Sequence, residues 1–221
     1  MSAPANRETR LSREEIAAAA LAMVDRDGVD EFSMRRLARD LGVTTMAVYH
    51  HFENKAEILQ AAADRVWIEA VLAMAPHEDP VEDLVQSMLV IRRTFMRHSD
   101  VANFAIASPS VEAAVHVTAV SVVERFEAAG FRGDAVGRAY LALATYTLGG
   151  TLLHSQRTIL ARTIRRSVSD LATIAPADLD GQRPATDAYA SVRAAMDSDP
   201  DLVHFERGLR DILAGLLATL T

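Results

Sequence analysis

The chemistry of this chain is concentrated in GVTTMAVYHHFENK, residues 42 to 55. The segment holds two threonines, a tyrosine, two histidines and the only lysine of the sequence; every other cation is an arginine. Hydroxyl, imidazole and ammonium groups at such close spacing suit hydrogen bonding and charge pairing with an external polyanion. They do not suit bond making. No nucleophile motif, Gly-rich phosphate loop or metal-ligand spacing occurs. The chain has no cysteine, so thiolate nucleophiles, thiolate metal sites and disulfides are excluded. His98, His116 and His154 lie far apart and lack H-x-x-H or H-E-x-x-H spacing. The expectation is a chain that binds, with no catalytic residues, no metal and no cofactor.

These side chains need a scaffold to aim them. With Gly42 as origin, Ala38 lies four residues before it, Leu37 five before, Val43 one after and Val48 six after. A helix-turn-helix needs this pattern: a small residue for close crossing, a glycine for the turn, and apolar residues to pin the two helices. An ordinary corner between two helices has the same spacing. A helical wheel over about 45 to 51 turns Val48, Phe52 and Thr44 inward. It turns Met46 and His50 outward, flanked by Ala47 and Tyr49, with His51 at the edge. A solvated face would carry Lys and Glu. Ala and Met can instead meet a thymine methyl, and Tyr and His can bond bases or phosphates. Thr44 and Thr45 can donate to a phosphate at the helix N-terminus.

Three cations stand where helices disfavour them. Arg35 and Arg36 fall in the first turn of a helix capped by Ser33, and Lys55 in the first turn of a helix capped by Asn54. The positive end of the helix dipole meets each of them. Phosphate groups near both helix ends would explain the placement. The alternative is an i,i+4 pair between Arg36 and Asp40, with the others solvated.

The remaining elements are helical. Ser12-Arg-Glu-Glu15 is a capping box opening a helix that runs to Asp27, and Gly28 ends it. Asn54 with Glu57 opens a fourth helix to about residue 73. Helical patterns follow at about 81–98, 101–107, 110–129, 134–162, 187–197 and 200–219, with a Pro-, Gly- and Asp-rich loop over 175–187. No segment has β periodicity. The fold class expected is all-α: a three-helix N-terminal module over 11–55, after a tail at 1–10, and a larger helical body over 56–221.

The 221 residues, 50% hydrophobic and 24% charged, suffice for a core of this size. The formal net charge is −7, so bulk charge does not point to nucleic acid; only the placement of charges does. The opening MSAPANRETR is polar and unlike a secretory signal, and no apolar run approaches a membrane span. A cytoplasmic location without membrane partners is the expectation.

FSMRRLARDLGVTTMAVYHHFENKAEIL resembles the DNA-binding domain of the TetR (tetracycline repressor) family of transcriptional regulators. The "LA..LGV" core and the YHHFENK segment carry the resemblance, which covers about residues 11 to 65. It implies a homodimer placing two recognition helices in successive major grooves of a palindromic operator. Tyr49, His51 and Lys55 match positions that usually bind phosphate. Arg35, Thr45, Met46, Ala47 and His50 match positions that often reach bases; Ser33, Arg36 and Thr44 complete the set expected at the DNA. Members often have Pro or Ala where Met46 stands, so base preference does not transfer.

FERGLRDILAGL and LALATYTLGGTLLHSQR resemble the tetracycline-repressor-type C-terminal domain. That implies a small-molecule effector in the body and dimerisation through a four-helix bundle, with helices near 134–160 and 200–219 as candidates. Gly149 and Gly150 cost a helix roughly 1 kcal/mol each relative to Ala, tolerable where a backbone approaches closely or a ligand needs room. Leu202, Phe205, Leu209, Ile212, Leu213, Leu216 and Leu217 form a stripe wide enough for core and interface together. Polar and aromatic residues inside these helices are the candidate ligand contacts: Phe95, His98, Phe104, His116, Tyr140, Thr145, Tyr146, Thr147, His154 and Gln156.

Overall fold

The computed structural model describes residues 11–107, 112–164 and 203–220. The expected tail at 1–10, the loop at 175–187 and the helix at 187–197 lie outside the described residues. What is described is all-α: α1 (Arg13–Asp27), α2 (Met34–Leu41), α3 (Thr45–Tyr49), α4 (Lys55–Leu72), α5 (Pro80–Arg97), α6 (Ser99–Ala107), α7 (Glu112–Ala128), α8 (Asp134–Ile164) and α9 (Val203–Leu217), followed by a 3-10 turn, Ala218–Leu220.

Local rules set the first boundaries. Ser12 Oγ accepts from Glu15 N at 3.1 Å and Glu15 Oε2 accepts from Ser12 N at 2.9 Å, so the capping box is closed. Gly42 adopts φ 69°, ψ 34°, the left-handed conformation that a Cβ disfavours. Its N–H donates to the Arg39 carbonyl and the Val43 N–H to the Ala38 carbonyl, which stops α2 and redirects the chain. The third helix is shorter than the 45–51 expected. It ends at Tyr49, and Phe52 drops into the core while its N–H still reaches the Val48 carbonyl. Asn54 Oδ1 accepts from Glu57 N at 3.0 Å and starts α4.

α4 is the central element. It packs on α1 at one end and on α5, α6 and α7 along the body, and α6 also touches α1. One continuous core results, from Ile16, Leu37, Val48 and Phe52 at the front, through Ile58, Val66 and Trp67, to Phe95, Phe126, Leu143 and Leu209. In the body, α9 lies on α8 and α5. Tyr146 stacks on Phe205 with ring centroids 4.9 Å apart, and its hydroxyl donates to the Phe205 carbonyl at 3.2 Å. Arg92 also lies over the Phe205 ring, 4.3 Å from its centroid. Arg210 grips Glu82 at 2.6 and 3.0 Å, tying α9 to α5 and holding the Glu82 carboxyl down to about 2, with Gln86 assisting.

The glycines of α8 have different surroundings. A Cβ on Gly150 would lie 3.4 Å from Phe205 and 3.5 Å from Arg92, so this glycine marks close packing. A Cβ on Gly149 would meet nothing among the described residues within 4 Å. On α9, a Cβ at Gly208 would overlap the Tyr146 hydroxyl. Gly208→Ala should therefore push the phenol off the Phe205 carbonyl. The overlap, typically ~1–3 kcal/mol, exceeds the helix propensity that alanine returns. A net loss of about 1 kcal/mol in urea unfolding is expected, and a stabilised variant would contradict the contact.

Candidate nucleic-acid interface and effector cavity

The exposed front of the N-terminal module is built by α2 and α3. Met46 is 64% exposed and Tyr49 46%. His50, Arg35 and Thr44 are also exposed, and Thr45 is half-buried. The Thr44 side chain caps α3, accepting from Ala47 N at 3.2 Å. Ser33 is exposed and caps α2, accepting from Arg36 N at 3.3 Å. Arg35 makes no ion pair among the described residues, so its guanidinium is available to a partner.

Four expected contacts are placed differently. Ala47 is buried, 7% exposed, not outward. α3 is short and packs on α2, so its buried sector takes in both Ala47 and the adjacent Val48. Arg36 does not pair with Asp40. Its guanidinium donates to Asp27 at 2.6 Å, with Glu31 at 3.9 Å, while Arg26 takes Asp40 at 3.1 Å. The anion offsetting this first-turn cation is thus internal, at the C-terminal end of α1. Arg26 also holds the Asp27 carboxyl below its usual range. The lone lysine has an internal partner too: Lys55 Nζ donates to the Val29 carbonyl at 3.0 Å and lies 5.6 Å from the Phe32 ring centroid. It anchors the start of α4 to the loop before α2. His51 is half-buried and gives its carbonyl to Arg13.

That arginine holds the turn in place, a contact the sequence alone does not reveal. Arg13 donates to the His51 carbonyl and to Glu57 Oε1 at 2.7 Å, and its guanidinium lies 4.0 Å from the Phe52 ring centroid. Glu57 Oε2 in turn accepts from Glu53 N at 2.7 Å, the main cause of its lowered pKa, with Arg13 adding to it. The turn leaving α3 is thereby fixed to both α1 and α4, and Tyr49 and His50 with it. The Arg–Glu signature spans 44 residues, beyond any local spacing rule.

Behind this module, a cavity opens among α4, α5, α7 and α8, with about 350 Å³ of empty space including its mouth. Trp67, Met88, Ile91, Phe126, Tyr140 and Thr147 form much of its wall, with Val122, Ala144 and Leu148. No charged side chain among the described residues lines it. Burial pushes the Tyr140 phenol up, so it stays neutral. Of the expected ligand contacts, Tyr140 and Thr147 line the cavity. Phe95 packs edge-on against Trp67, centroids 4.4 Å apart, one layer behind. Phe104 is half-buried against the core. Tyr146 belongs to the α8–α9 seam, and His154 is half-buried farther along α8. Thr145 and Gln156 are exposed, on a different side of α8 from the cavity. The His116 side chain lies outside what is described. Most of the wall was missed because its members are ordinary apolar core residues in sequence.

His98 is not at the cavity. It caps the end of α5, 7% exposed, with Nδ1 2.8 Å from Asp25 Oδ2 on α1 and Nε2 3.2 Å from Glu69 Oε2 on α4. Arg97 pairs with the other Glu69 oxygen. The hydrogen bond to Asp25 leads the causes that raise the His98 pKa. This cluster joins the N-terminal module to the body.

Comparison with known proteins agrees with this arrangement. Residues 16–62 match the sequence model of "Bacterial regulatory proteins, tetR family", and residues 75–220 that of "Tetracyclin repressor-like, C-terminal domain". The chain is 30% identical over 215 residues to the tetracycline repressor protein class C of Escherichia coli, covering 94% of this chain and 91% of that one. The crystal structure of ActR, a TetR family protein of Streptomyces coelicolor, in complex with (S)-DNPA superposes with a TM-score of 0.68 at 26% identity, covering 95% of this chain and 98% of that one. BioQ with its double-stranded DNA operator superposes with a TM-score of 0.57 at 29% identity, covering 74% and 99%. With both halves matched in order, the chain belongs to the TetR family of bacterial regulatory proteins: it is a helix-turn-helix transcriptional regulator.

Proposed function

We propose that the chain is a repressor that binds a palindromic DNA operator as a homodimer and is released by a small molecule held in its C-terminal domain. It acts by binding and not by catalysis, in the cytoplasm. No helix among the described residues is long and apolar enough to cross a membrane. In this reading residues 11–55 are the DNA-binding domain and 56–221 the ligand-binding and dimerisation domain. Arg35, Thr44, Thr45, Met46, Tyr49 and His50 face the DNA. Ser33, Arg36, His51 and Lys55 hold that face in position, and Lys55 has two further N–H groups to offer a phosphate.

The observation that carries the proposal is α4. Its first turn holds the reading module through Lys55 and Glu57, and Trp67 on the same helix lines the cavity. Twelve residues of helix span about 18 Å, so a molecule seated against Trp67 can shift the helix that carries the front. Coupling of ~1–3 kcal/mol between the two sites would change operator affinity ~5–150-fold. For the dimer, α8 offers Leu141 and Leu153, 64% and 65% exposed, together with Gly149, where an added Cβ would meet nothing among the described residues.

Selection of bound sequences from random DNA tests the reading. A palindrome with half-sites one helical turn apart, or a multiple, is expected. Affinity should fall steeply with rising salt, as phosphate contacts demand. Tyr49→Ala should weaken binding by about 1–2 kcal/mol while the dimer persists. A chain that retains no DNA at low salt would sink the proposal.

A further inference from the structure

Two residues of the cavity wall each carry a buried polar atom with no hydrogen-bond partner among the described residues. Trp67 is 6% exposed and its indole Nε1 is buried without a hydrogen bond. Thr147 is 1% exposed and its Oγ1 is likewise alone. Both residues line the same cavity, from α4 and α8 respectively. The contrast with Thr151 is informative. One turn along the same helix, its Oγ1 donates to the Thr147 carbonyl at 2.6 Å, the usual resort of a helical hydroxyl. Thr147 does not use that route. Buried polar groups are ordinarily paired, and each unpaired one carries a desolvation penalty that a bound acceptor would relieve.

The rest of the wall limits what that acceptor can belong to. Three aromatic rings (Trp67, Phe126 and Tyr140) and the apolar Met88 and Ile91 surround it, with no charged side chain among the lining residues. An ion entering would lose its hydration with nothing opposite in charge to meet it. An indole can only donate, whereas a hydroxyl can donate or accept. We propose that the effector is an uncharged, ring-bearing, mainly apolar molecule whose carbonyl oxygen accepts from Trp67 Nε1–H, with Thr147 Oγ1 as the second polar contact. This rests on the effector-responsive reading above and gives that effector its chemical class. Trp67 becomes the residue that both recognises the effector and moves with α4.

The test uses matched probes on the full-length dimer. Naphthalene supplies the rings alone, 1-tetralone adds a carbonyl, and 1-naphthoate adds a charge. Calorimetry should show 1-tetralone binding about tenfold tighter than naphthalene, and 1-naphthoate weakest. Trp67 is the chain's one tryptophan, so its emission should change on 1-tetralone binding in the wild type. Trp67→Phe should remove the preference for 1-tetralone, read as the ratio of the 1-tetralone and naphthalene affinities within the variant. Thr147→Val, which keeps shape and removes the hydroxyl, should lower the preference more modestly. Equal binding of 1-tetralone and naphthalene, or a preference unchanged in both variants, would overturn the assignment. So would tightest binding of 1-naphthoate. If the protein retains operator DNA but takes up none of the probes, this proposal fails and the regulator reading stands. If the carbonyl preference is seen and no DNA is retained, the regulator reading alone fails.

Discussion

Phe52→Ala is expected to cost about 3–5 kcal/mol of stability and to abolish DNA retention. Phe52 is 1% exposed at the end of the turn that leaves α3. Its ring packs into the front core and carries the Arg13 guanidinium on one face. Truncation leaves a cavity beneath α3 and removes the platform that holds Arg13 between the His51 carbonyl and Glu57. No side chain proposed to face the DNA is altered, yet all of them lose their footing. Urea unfolding and operator retention check the result together. Phe52→Leu, which keeps most of the volume, should recover much of both. A Phe52→Ala protein within about 1 kcal/mol of wild type would show that the turn is not part of the core.

The second large effect concerns His98. Its two ring nitrogens face Asp25 and Glu69, and protonation lets both donate. The folded state therefore holds this proton more tightly than the unfolded chain does. The resulting stabilisation is fully present below the unfolded value, near 6.5, and is lost as pH rises through the raised folded value. Stability should fall as pH is raised from about 6.5 into the alkaline range. His98→Leu should cost about 2–3 kcal/mol at pH 6.5, because two carboxylates from α1 and α4 are left facing an apolar side chain. It should also flatten that pH dependence. Chemical denaturation of both proteins across this range is the measurement. An unchanged slope in the variant would assign the titration to another group. Since the cluster joins module to body, its loss should also loosen the coupling between effector and DNA.

What the sequence made legible followed local rules. The capping box at Ser12, the left-handed Gly42 and the Asn54–Glu57 start each involve residues within a few positions, and each occurs where expected. The helix-turn-helix followed from them. Distance defeated the rest. Arg36 finds Asp27 instead of Asp40 because the loop between α1 and α2 folds the end of α1 beside it. His98 looked like a polar group inside a ligand-binding body; its partners lie 73 and 29 residues earlier and make it a joint. The cavity was only partly readable for a related reason. Tyr140 and Thr147 stand out in an apolar helix, whereas Met88, Ile91 and Phe126 are indistinguishable from core until α4, α5, α7 and α8 are assembled.

The shortness of α3 has a consequence of its own. Five residues are too few to nucleate a helix in water, where even Ala-rich peptides of ~12–15 residues are marginal. This helix exists because Val48 and Phe52 are buried and its ends are fastened by Thr44 and Arg13. The reading surface is therefore not a portable part. Cut out as a peptide, residues 41 to 55 would carry every α3 side chain proposed to face the DNA and none of their geometry. On the proposed function, operator preference would be retuned by substituting Met46 or His50 within the intact fold.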